Sequence, residues 1–324
     1  MPKSLNNKNI LITGFEGFLG SSLSRQLIAE GANVVGLDIK TRRKETILNS
    51  NDYKMIKVVE GNVVNADLIG RLLKKHSIDI VFHLAAEAIV GNSIQKPIET
   101  FTTNISGTWT VLENCRKNHS VRAVVIASSD KAYGSHKSLP YREDASLRGD
   151  HPYDVSKSCA DLITYTYYHT YGLPVAIVRC GNIYGPGDFN FSRIIPDAIR
   201  CMLSGRKLMI RSDGKFTRDY VYVNDIVSGY ILLAENLVRG RFAGESFNFS
   251  NECPITVTSL VEEIYALTGK KPFYQILNKA KYEIKHQYLA SGKAKKMLGW
   301  QPSYTLKQGL EETICWHRKA FKEK

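Results

Sequence analysis

The stretch NILITGFEGFLG, residues 9–20, indicates the fold of the chain. Its first five residues are rich in Ile and Leu and predict a buried strand, which runs directly into a glycine-rich turn and a helical pattern. Glycine permits a tight turn and lets the backbone approach a phosphate, while the free N–H groups at the start of a helix favour an anion. The spacing of Gly14, Gly17 and Gly20 differs from the common GxGxxG pattern, and a glycine-rich turn without a ligand has the same appearance.

A carboxylate at the end of the next predicted strand strengthens the prediction of a dinucleotide site. Asp38 ends the strand NVVGLD, residues 33–38, at about the 20-residue distance expected for a carboxylate that binds a ribose. A carboxylate there repels the 2′-phosphate of NADP, so NAD is the expected cofactor, although Lys40, Arg42 and Arg43 weaken that preference. The residues expected to contact the cofactor are Gly14, Phe15, Glu16, Gly17, Phe18, Leu19 and Gly20, together with Asp38.

Apolar strands alternate with helical patterns through the first half of the chain. Further strands are predicted near 55–61, at 78–86 and at 123–129. Strands spaced by helices predict a parallel sheet with helices on both faces, which is a doubly wound α/β fold of the Rossmann type. After about residue 186 the pattern becomes irregular and predicts a smaller mixed α/β lobe. The expected boundaries are 1–185 for the dinucleotide-binding domain, with a return segment at about 216–245, and 186–215 with 246–324 for the second lobe.

The charge of the chain favours an anionic partner. The 324 residues carry a formal net charge of +13, and basic clusters lie at 40–44, at 291–296 and in the last residues of the chain. These clusters are short, separate and without interleaved aromatic residues, so nucleic-acid binding is not expected. A phosphorylated substrate accounts for the excess charge more economically.

Cysteine spacing and hydropathy argue against a metal-binding protein, a membrane protein and a secreted protein. The six cysteines are scattered, without a CxxC pair or a Cys/His cluster, so no metal site is expected and they are interpreted as small buried residues. No uncharged apolar run approaches the roughly 18 residues of a membrane span, and the polar N-terminus shows no secretory signal. A cytoplasmic location without membrane association is therefore expected.

The segment YDVSK, residues 153–157, indicates proton-transfer chemistry. Tyr153 and Lys157 are four residues apart and therefore lie on one face of a helix. An unperturbed phenol titrates at about pH 10 and is a poor base at neutral pH, but a nearby ammonium and a positive nicotinamide ring would lower its pKa. Ser129 ends an earlier predicted strand and is expected to donate a hydrogen bond to the same substrate oxygen. A YxxxK pattern alone is common at protein surfaces, and it gains meaning from the glycine-rich turn and Ser129.

With these motifs the chain resembles an extended short-chain dehydrogenase/reductase of the NAD-dependent epimerase/dehydratase family. The resemblance covers nearly the whole chain and rests on GFEGFLG, HLAAEAIV, TNISGT, SSDKAYG, YDVSK, RCGNIYGPG, RDYVYVND and LGWQP. It implies a nicotinamide cofactor in the N-terminal lobe and a nucleoside-diphosphate sugar gripped by the C-terminal lobe. The further implied cofactor contacts are Asn62 (where the family usually has Asp), Val63, Leu84, Ala85, Ala86, Asn104, Tyr153 and Lys157. The implied substrate contacts are Glu87, Ser129, Asn182, Arg193 and Arg218.

The resemblance also implies a homodimer. Family members tend to pair through two helices, which in this chain correspond to residues 102–117 and 152–171. Tyr165, Tyr167 and Tyr168 lie in the second of these segments and are interpreted as residues either of that interface or of the core.

The segment SSDKAYG, residues 128–134, bears on which reaction of this family the chain performs. In members that remove water from the sugar, an Asp-Glu pair follows the serine: the Asp protonates the departing 6-hydroxyl, and the Glu takes the C5 proton. Members that only invert C4 generally lack an acidic residue here. This chain has Asp130 and then Lys131, a variant that resembles CDP-glucose 4,6-dehydratases. Lys131 can act as the C5 base only if its pKa is lowered, and otherwise its charge only holds Asp130 or a phosphate.

Other positions leave the reaction open. RDYVYVND and NIYGPG are general forms of their motifs rather than those of CDP-glucose dehydratases. Glu87 resembles the residue of other dehydratases and is interpreted either as an alternative carboxylate near the sugar or as a hydrogen-bonding residue behind it. Three functions are therefore carried forward: a 4,6-dehydratase, which is the expected one; a C4-epimerase, reductase or decarboxylase on the same scaffold; and a non-catalytic NAD-binding regulator. The intact set of Ser129, Tyr153 and Lys157 argues against the regulator.

Overall fold

A computed structural model describes residues 5–280 and 283–322 of the chain. In chain order the strands are β1 (Asn9–Thr13), β2 (Asn33–Asp38), β3 (Ile56–Glu60), β4 (Ile80–His83), β5 (Ala123–Ala127), β6 (Val175–Cys180), β7 (Asn182–Tyr184), β8 (Leu208–Ile210), β9 (Thr217–Arg218), β10 (Tyr220–Tyr222), β11 (Ser246–Phe249), β12 (Ile255–Thr256), β13 (Tyr274–Ile276) and β14 (His286–Gln287). The α-helices are α1 (Phe18–Ala29), α2 (Ser50–Met55), α3 (Ala66–Lys75), α4 (Val90–Gln95), α5 (Pro97–Phe101), α6 (Gly107–Lys117), α7 (Pro152–Tyr171), α8 (Ile194–Ser204), α9 (Val223–Val238), α10 (Val257–Ala266) and α11 (Leu306–Lys322). A 3-10 turn covers Asp130–Tyr133, and π-helical turns cover Thr102–Ser106 and Ala294–Leu298. Within the described ranges, no helix combines the length and the apolarity needed to cross a bilayer.

Seven of the strands form one parallel sheet in the order β11-β6-β5-β4-β1-β2-β3. Strand β1 lies between β2 and β4, so that Leu11 is opposite Val35 on one side and Val81 on the other. Parallel strands of this kind are apolar on both faces because helices cover both faces. The expected Rossmann-type, doubly wound sheet is confirmed.

The side chains of β1 divide between the two layers of the core. Successive side chains of a strand point to opposite faces of its sheet. Ile10 and Ile12 therefore pack in one hydrophobic cluster with Leu27 of α1 and Ile226 of α9. Leu11 belongs to a second cluster, which includes buried side chains of α3 and α6. The sheet is thus covered by α1 and α9 on one face and by α3 and α6 on the other.

The strand order reverses between β1 and β4, since the chain runs outward to β2 and β3 on one side and to β5 and β6 on the other. Ligands of open parallel sheets bind in the crevice outside the carboxyl ends of the strands at such a point. The glycine-rich turn after β1 and the segment after β4 both border a cavity there. The fold therefore brings the predicted cofactor and catalytic segments to one place.

The second lobe shares its hydrophobic core with the sheet. One cluster of buried side chains extends from Ile10 in β1 to Leu260 in α10. Trp300, from the LGWQP motif, packs on Phe249 with ring centroids 4.5 Å apart, and its indole N–H donates to the carbonyl of Asp225 at 3.0 Å. The C-terminal part of the chain is thereby fastened directly to β11 and α9.

The chain returns to the main sheet over a longer segment than the sequence predicts. The return is predicted over about 216–245, but Ser246–Phe249 forms β11 and pairs in parallel with β6. Phe247 and Phe249 are fully buried in this edge strand, which is too short to show a clear pattern in the sequence. The boundary predicted at residue 246 falls inside the sheet, while the division into two lobes stays a prediction.

Candidate active site

A cavity of about 820 Å³ extends from the glycine-rich turn into the second lobe. Its near wall comes from the turn after β1 and from the carboxyl ends of β2, β4 and β5. Its far wall includes Arg193, Arg211 and Ile284. The volume lies in the range of roughly 300–1,000 Å³ that is typical of small-molecule sites. Within the described part of the chain, no group of three or more His, Cys, Asp and Glu side chains is placed to hold a metal ion.

Close backbone contacts require the glycines of the turn. Gly14 has a φ of +74°, and a Cβ atom there would lie 2.8 Å from the backbone of Ala85. A Cβ atom on Gly20 would lie 2.1 Å from the carbonyl oxygen of Gly14. Helix α1 begins at Phe18, immediately after Gly17, so its free N–H groups open onto the cavity. This arrangement fits the pyrophosphate of a dinucleotide.

Asp38 borders the same end of the cavity. Its carboxylate accepts a hydrogen bond from the backbone N–H of Glu16 at 3.2 Å and pairs with the guanidinium of Arg43. Burial raises the pKa of Asp38, and Arg43 opposes that effect. The position at the end of β2 fits a carboxylate that binds a ribose hydroxyl, while Arg43 offsets the charge that would repel a 2′-phosphate.

Two predicted cofactor contacts of the turn point away from the cavity. Phe15 is fully buried in the hydrophobic core. The buried carboxylate of Glu16 accepts hydrogen bonds from the backbone N–H groups of Arg42 at 2.6 Å and Arg43 at 2.7 Å. Neither side chain lines the cavity, because the tight turn directs both of them inward. Glu16 instead holds the basic segment that follows β2.

The segment after β4 lines the cavity, whereas Asn104 lies behind it. The lining residues of this group are Leu84, Ala85 and Ala86, with Asn62 and Val63 from the segment after β3. The side chain of Asn104 accepts a hydrogen bond from the N–H of Glu87 at 2.8 Å and donates to the carbonyl of Glu87 at 3.1 Å. The Glu87 carboxylate accepts from the N–H of Ile89 at 3.1 Å and does not line the cavity. This geometry agrees with the hydrogen-bonding interpretation of Glu87.

Tyr153 and Lys157 lie at the start of α7, on the face that the four-residue spacing predicts. Burial raises the pKa of the Tyr153 phenol to about 12, and the Ser129 hydroxyl opposes this only in part. Nζ of Lys157 lies 5.9 Å from the centre of the Tyr153 ring and donates to the carbonyl of Ala127 at 2.8 Å. Burial lowers the pKa of Lys157 to about 8. The expected lowering of the phenol pKa is therefore not produced by the side chains of this chain alone, because burial outweighs the Ser129 hydroxyl and the Arg193 guanidinium.

Asp130 begins the 3-10 turn that follows β5, and its side chain lines the cavity. One carboxyl oxygen accepts a hydrogen bond from the Ser129 hydroxyl at 2.9 Å, and the other has no hydrogen-bond partner among the described residues. Burial raises the pKa of Asp130 by more than Lys131 and Arg218 lower it. A buried carboxyl group with a raised pKa and one free oxygen is suited to donate a proton.

Lys131 lies half-buried beside Asp130 and donates a hydrogen bond to the side-chain oxygen of Gln287. Burial lowers the pKa of the Lys131 ammonium, and the neighbouring Arg218 adds to this effect. The carboxylates of Asp130 and Asp154 oppose it. The direction of the shift is the one that a lysine needs in order to act as a base.

The side chains expected at the substrate end also line the cavity: Asn182, Arg193 and Arg218. Nη1 of Arg193 lies 3.2 Å from the buried carboxylate of Asp188. The guanidinium of Arg218 donates to the carbonyl of Ile284 and, at 3.0 Å, to that of Lys285. These bonds hold two cations at the border between the lobes, where an anionic substrate group would meet them.

Two residues of this site are not predicted by the sequence motifs. Asp154 follows Tyr153 inside YDVSK, lines the cavity, and has a carboxyl pKa that burial raises to about 6. Gln287 is 156 residues from Lys131 and belongs to β14. Asp154 occupies a position that the YxxxK pattern leaves open, so the pattern does not mark it. No sequence pattern marks Gln287, because its contact with Lys131 depends on how the second lobe packs against the 3-10 turn.

Comparison with known proteins agrees with this geometry. A sequence profile described as GDP-mannose 4,6 dehydratase matches residues 11–313. A UDP-glucuronate 4-epimerase from Thermodesulfobacterium geofontis is 31% identical, over 95% of this chain and 96% of the relative. A CDP-glucose 4,6-dehydratase from Salmonella typhimurium is 31% identical, over 96% of this chain and 90% of the relative. The crystal structure of a dTDP-glucose 4,6-dehydratase from Bacillus anthracis in complex with NAD has a TM-score of 0.85 and 30% identity, covering 97% of this chain and 98% of that chain.

Proposed function

This chain belongs to the GDP-mannose 4,6-dehydratase family of extended short-chain dehydrogenases/reductases, and on that premise we propose that it is an NAD-dependent nucleotide-sugar 4,6-dehydratase. Its product is a 4-keto-6-deoxy sugar nucleotide, formed by oxidation at C4, elimination of water across C5 and C6, and return of the hydride to C6. The proposed substrate is of the CDP-glucose type. The Asp130-Lys131 pair and the similarity to a CDP-glucose 4,6-dehydratase support that choice.

The observation that carries this proposal is the buried acid at Asp130. Departure of the C6 hydroxyl needs a proton, whereas inversion at C4 does not. One oxygen of Asp130 has no partner among the described residues, and burial raises the pKa of the group. Such a carboxyl group retains a proton closer to neutral pH than an exposed one, and it can deliver that proton inside the cavity.

NAD is the cofactor of the proposed reaction. The glycine-rich turn at 14–20 would hold its pyrophosphate, and Asp38 would bind a ribose hydroxyl. Leu84, Ala85 and Ala86 border the space between this turn and Tyr153. When bound, NAD accepts the hydride from C4, adds a positive charge beside the phenol, and gives the hydride back to C6.

The side chains of the site supply a balanced set of proton transfers. Tyr153, as the phenolate, takes the proton of the 4-hydroxyl. The single O–H of Ser129, which donates to Asp130 in this structure, would turn to donate to the same substrate oxygen. The C4 ketone acidifies the C5–H bond, and Lys131 takes that proton as the C6–O bond breaks. Asp130 protonates the departing hydroxyl, which leaves as water, and Lys131 returns its proton to C5. The proton gained by Tyr153 equals the one lost by Asp130, so the net change is the loss of one water.

A C4-epimerase is the second candidate function. The UDP-glucuronate 4-epimerase is as similar to this chain, at 31% identity, as the CDP-glucose dehydratase. Tyr153, Lys157 and Ser129 suffice for oxidation and reduction at C4. In that case Asp130 and Lys131 would be neighbouring charged groups without a role in elimination.

The experiment that tests the proposal is the mass of the product formed with CDP-, dTDP-, UDP- and GDP-hexoses in the presence of NAD. Loss of one water from one of these substrates is the expected result, and the substrate that reacts identifies the nucleotide. An isomerised product of unchanged mass would replace the dehydratase with the epimerase. Binding of NAD without conversion of any sugar nucleotide would favour a regulator.

We also propose that the protein is a homodimer that pairs through α6 and α7. Trp109 of α6 and Leu162 and Tyr165 of α7 are 47%, 57% and 52% exposed, although each is large and apolar or aromatic. Tyr167 has a different role, because its hydroxyl donates to the Glu113 carboxylate at 3.2 Å and so ties α7 to α6. A second copy of the chain would cover the exposed set.

A further inference from the structure

We infer that Gln287 is a positioning residue for Lys131: it holds the lysine amino group in place while leaving it free to exchange a proton. The inference rests on the proposed function, in which Lys131 removes the C5 proton. Gln287 lies outside the motifs on which the family resemblance rests, and it reaches the site from the second lobe.

The contact between the two side chains is specific in its direction. Nζ of Lys131 donates a hydrogen bond to Oε1 of Gln287. An ammonium has donors and no acceptor, so only the oxygen end of the amide can face it. The other end of the amide, Nε2, is buried without a hydrogen-bond partner among the described residues. The amide is thus held in one orientation by Lys131, at the cost of an unpaired donor.

The backbone around Gln287 is well fixed. Strand β14 pairs in parallel with β9, and in this register Gln287 is opposite Arg218. Gln287 is fully buried, while Arg218 lines the cavity and donates to the backbone carbonyls of Ile284 and Lys285. The strand that carries the amide is therefore tied to the strand that carries the arginine.

The charges that face Lys131 come from several elements. Asp130 of the 3-10 turn, Asp154 of α7 and Glu283 before β14 favour the ammonium form. Burial and Arg218 of β9 favour the neutral amine. Gln287 is the neutral member of this set and accepts a hydrogen bond without adding a negative charge.

Because Gln287 is neutral, it does not stabilise the charged form of Lys131, which must lose its proton to act as a base. A carboxylate in its place would also hold Lys131, but it would stabilise the ammonium and keep the proton on the nitrogen. An apolar residue would leave the proton free to move but would leave the amino group without an acceptor. Glutamine is the side chain of this size that supplies the acceptor and leaves the charge unchanged.

The test compares Gln287→Glu and Gln287→Leu by the pH dependence of solvent deuterium incorporation at C5 of the product. With Gln287→Glu, the acid limb should move to higher pH by about 1–3 units, because a carboxylate at this distance raises the pKa of a lysine. Its rate should return to the wild-type plateau above that limb. With Gln287→Leu, exchange should fall at every pH, because the amino group loses its acceptor. Gln275→Glu, an exposed position in β13, is the matched control and should leave the profile unchanged.

A merely structural role for Gln287 predicts a different result. Both variants would then lower exchange by a similar factor without moving the acid limb, and that result would overturn the inference. Unchanged exchange and an unchanged limb in both variants would overturn it as well.

A second measurement separates this inference from the proposed function. Competitive acetylation of the NAD-loaded protein over a range of pH, with the peptide containing Lys131 quantified by mass spectrometry, reports the pKa of that lysine without turnover. A higher midpoint in Gln287→Glu than in Gln275→Glu supports the contact even if no sugar nucleotide loses water, whereas equal midpoints contradict it. Loss of water by the wild type with undiminished C5 exchange in Lys131→Met would keep the dehydratase and remove Lys131 as its base.

Discussion

The proposed dehydratase and the alternative epimerase share most of their side chains and differ in the role of the Asp130 carboxyl group. In both proposed reactions, oxidation at C4 would use Tyr153 and Ser129, whereas only elimination needs a proton at O6. Ser129 engages one oxygen of Asp130 and orients the group, while the second oxygen has no partner in the described part of the chain. The proton can therefore leave Asp130 without first breaking another hydrogen bond.

The variant Asp130→Asn tests whether Asp130 donates the proton to the departing hydroxyl. Asparagine keeps the shape and the oxygen that accepts from Ser129, but it has no acidic proton to donate. Water elimination should fall by about 10²–10⁴-fold, the usual contribution of a general acid, while the affinity for NAD stays the same. Product mass and equilibrium dialysis with NAD measure the two quantities. Asp144→Asn, with a side chain 79% exposed, is the matched control, and unimpaired elimination by Asp130→Asn would exclude the acid.

The turn between β1 and α1 is the element whose structure follows most directly from its sequence. Gly14 and Gly20 are needed because the backbone passes within contact distance of itself and of the segment after β4. No side-chain rearrangement can relieve a clash between a Cβ atom and a carbonyl oxygen of the backbone. The close backbone packing at the end of the cavity next to α1 is thus possible only because residues 14 and 20 have no side chain.

Replacing Gly20 by alanine should disturb this element as a whole. The added Cβ atom would lie 2.1 Å from the Gly14 carbonyl oxygen, so the turn and α1 must separate. We expect the free energy of unfolding to fall by about 1–3 kcal/mol, and the affinity for NAD to fall by about tenfold or more. Urea denaturation and NAD titration measure these changes. Gly292→Ala is the control, since its Cβ would meet no atom within 4 Å; a Gly20→Ala protein as stable as this control would contradict the packing argument.

Sequence patterns predict elements well where local and tertiary preferences agree. Strands β1 and β2 begin and end at the predicted residues, Asn9–Thr13 and Asn33–Asp38, because apolar runs are bounded there by polar residues and glycine. The 3-10 turn at Asp130–Tyr133 and the edge strand Ser246–Phe249 are too short for a periodic signal. The contact between Gln287 and Lys131 is not predictable from local sequence, because it depends on packing between segments 156 residues apart.

At the scale of the whole molecule, large aromatic and apolar side chains of α6 and α7 lie exposed on the surface. Trp109 on α6 and Leu162 on α7 lie on helices that pack against each other. Exposed side chains of this size on neighbouring helices are typical of an interface between subunits. Trp109 and Leu162 do not line the cavity that holds the candidate catalytic residues.

Charged substitutions on this surface should change the assembly without changing the fold. Leu162→Lys and Trp109→Lys each place an ammonium in the proposed interface, so a dimer at micromolar concentration should become largely monomeric. Sedimentation velocity measures the change, and far-UV circular dichroism checks that the fold is kept. Met55→Lys alters an apolar side chain that is 64% exposed on α2 and should leave the dimer intact. A wild-type protein that sediments as a monomer would refute the proposed pairing.

The long separation between Lys131 and Gln287 also has a consequence for synthesis of the chain. Domains tend to fold from the N-terminus as the ribosome releases them. The seventh strand of the sheet ends at Phe249, so the first 250 or so residues contain every strand of the cofactor-binding core. The partner of Lys131 emerges only afterwards, with β14. Every strand of the sheet therefore leaves the ribosome before the proposed catalytic centre can be complete, so the nascent chain cannot be active until the second lobe has been released.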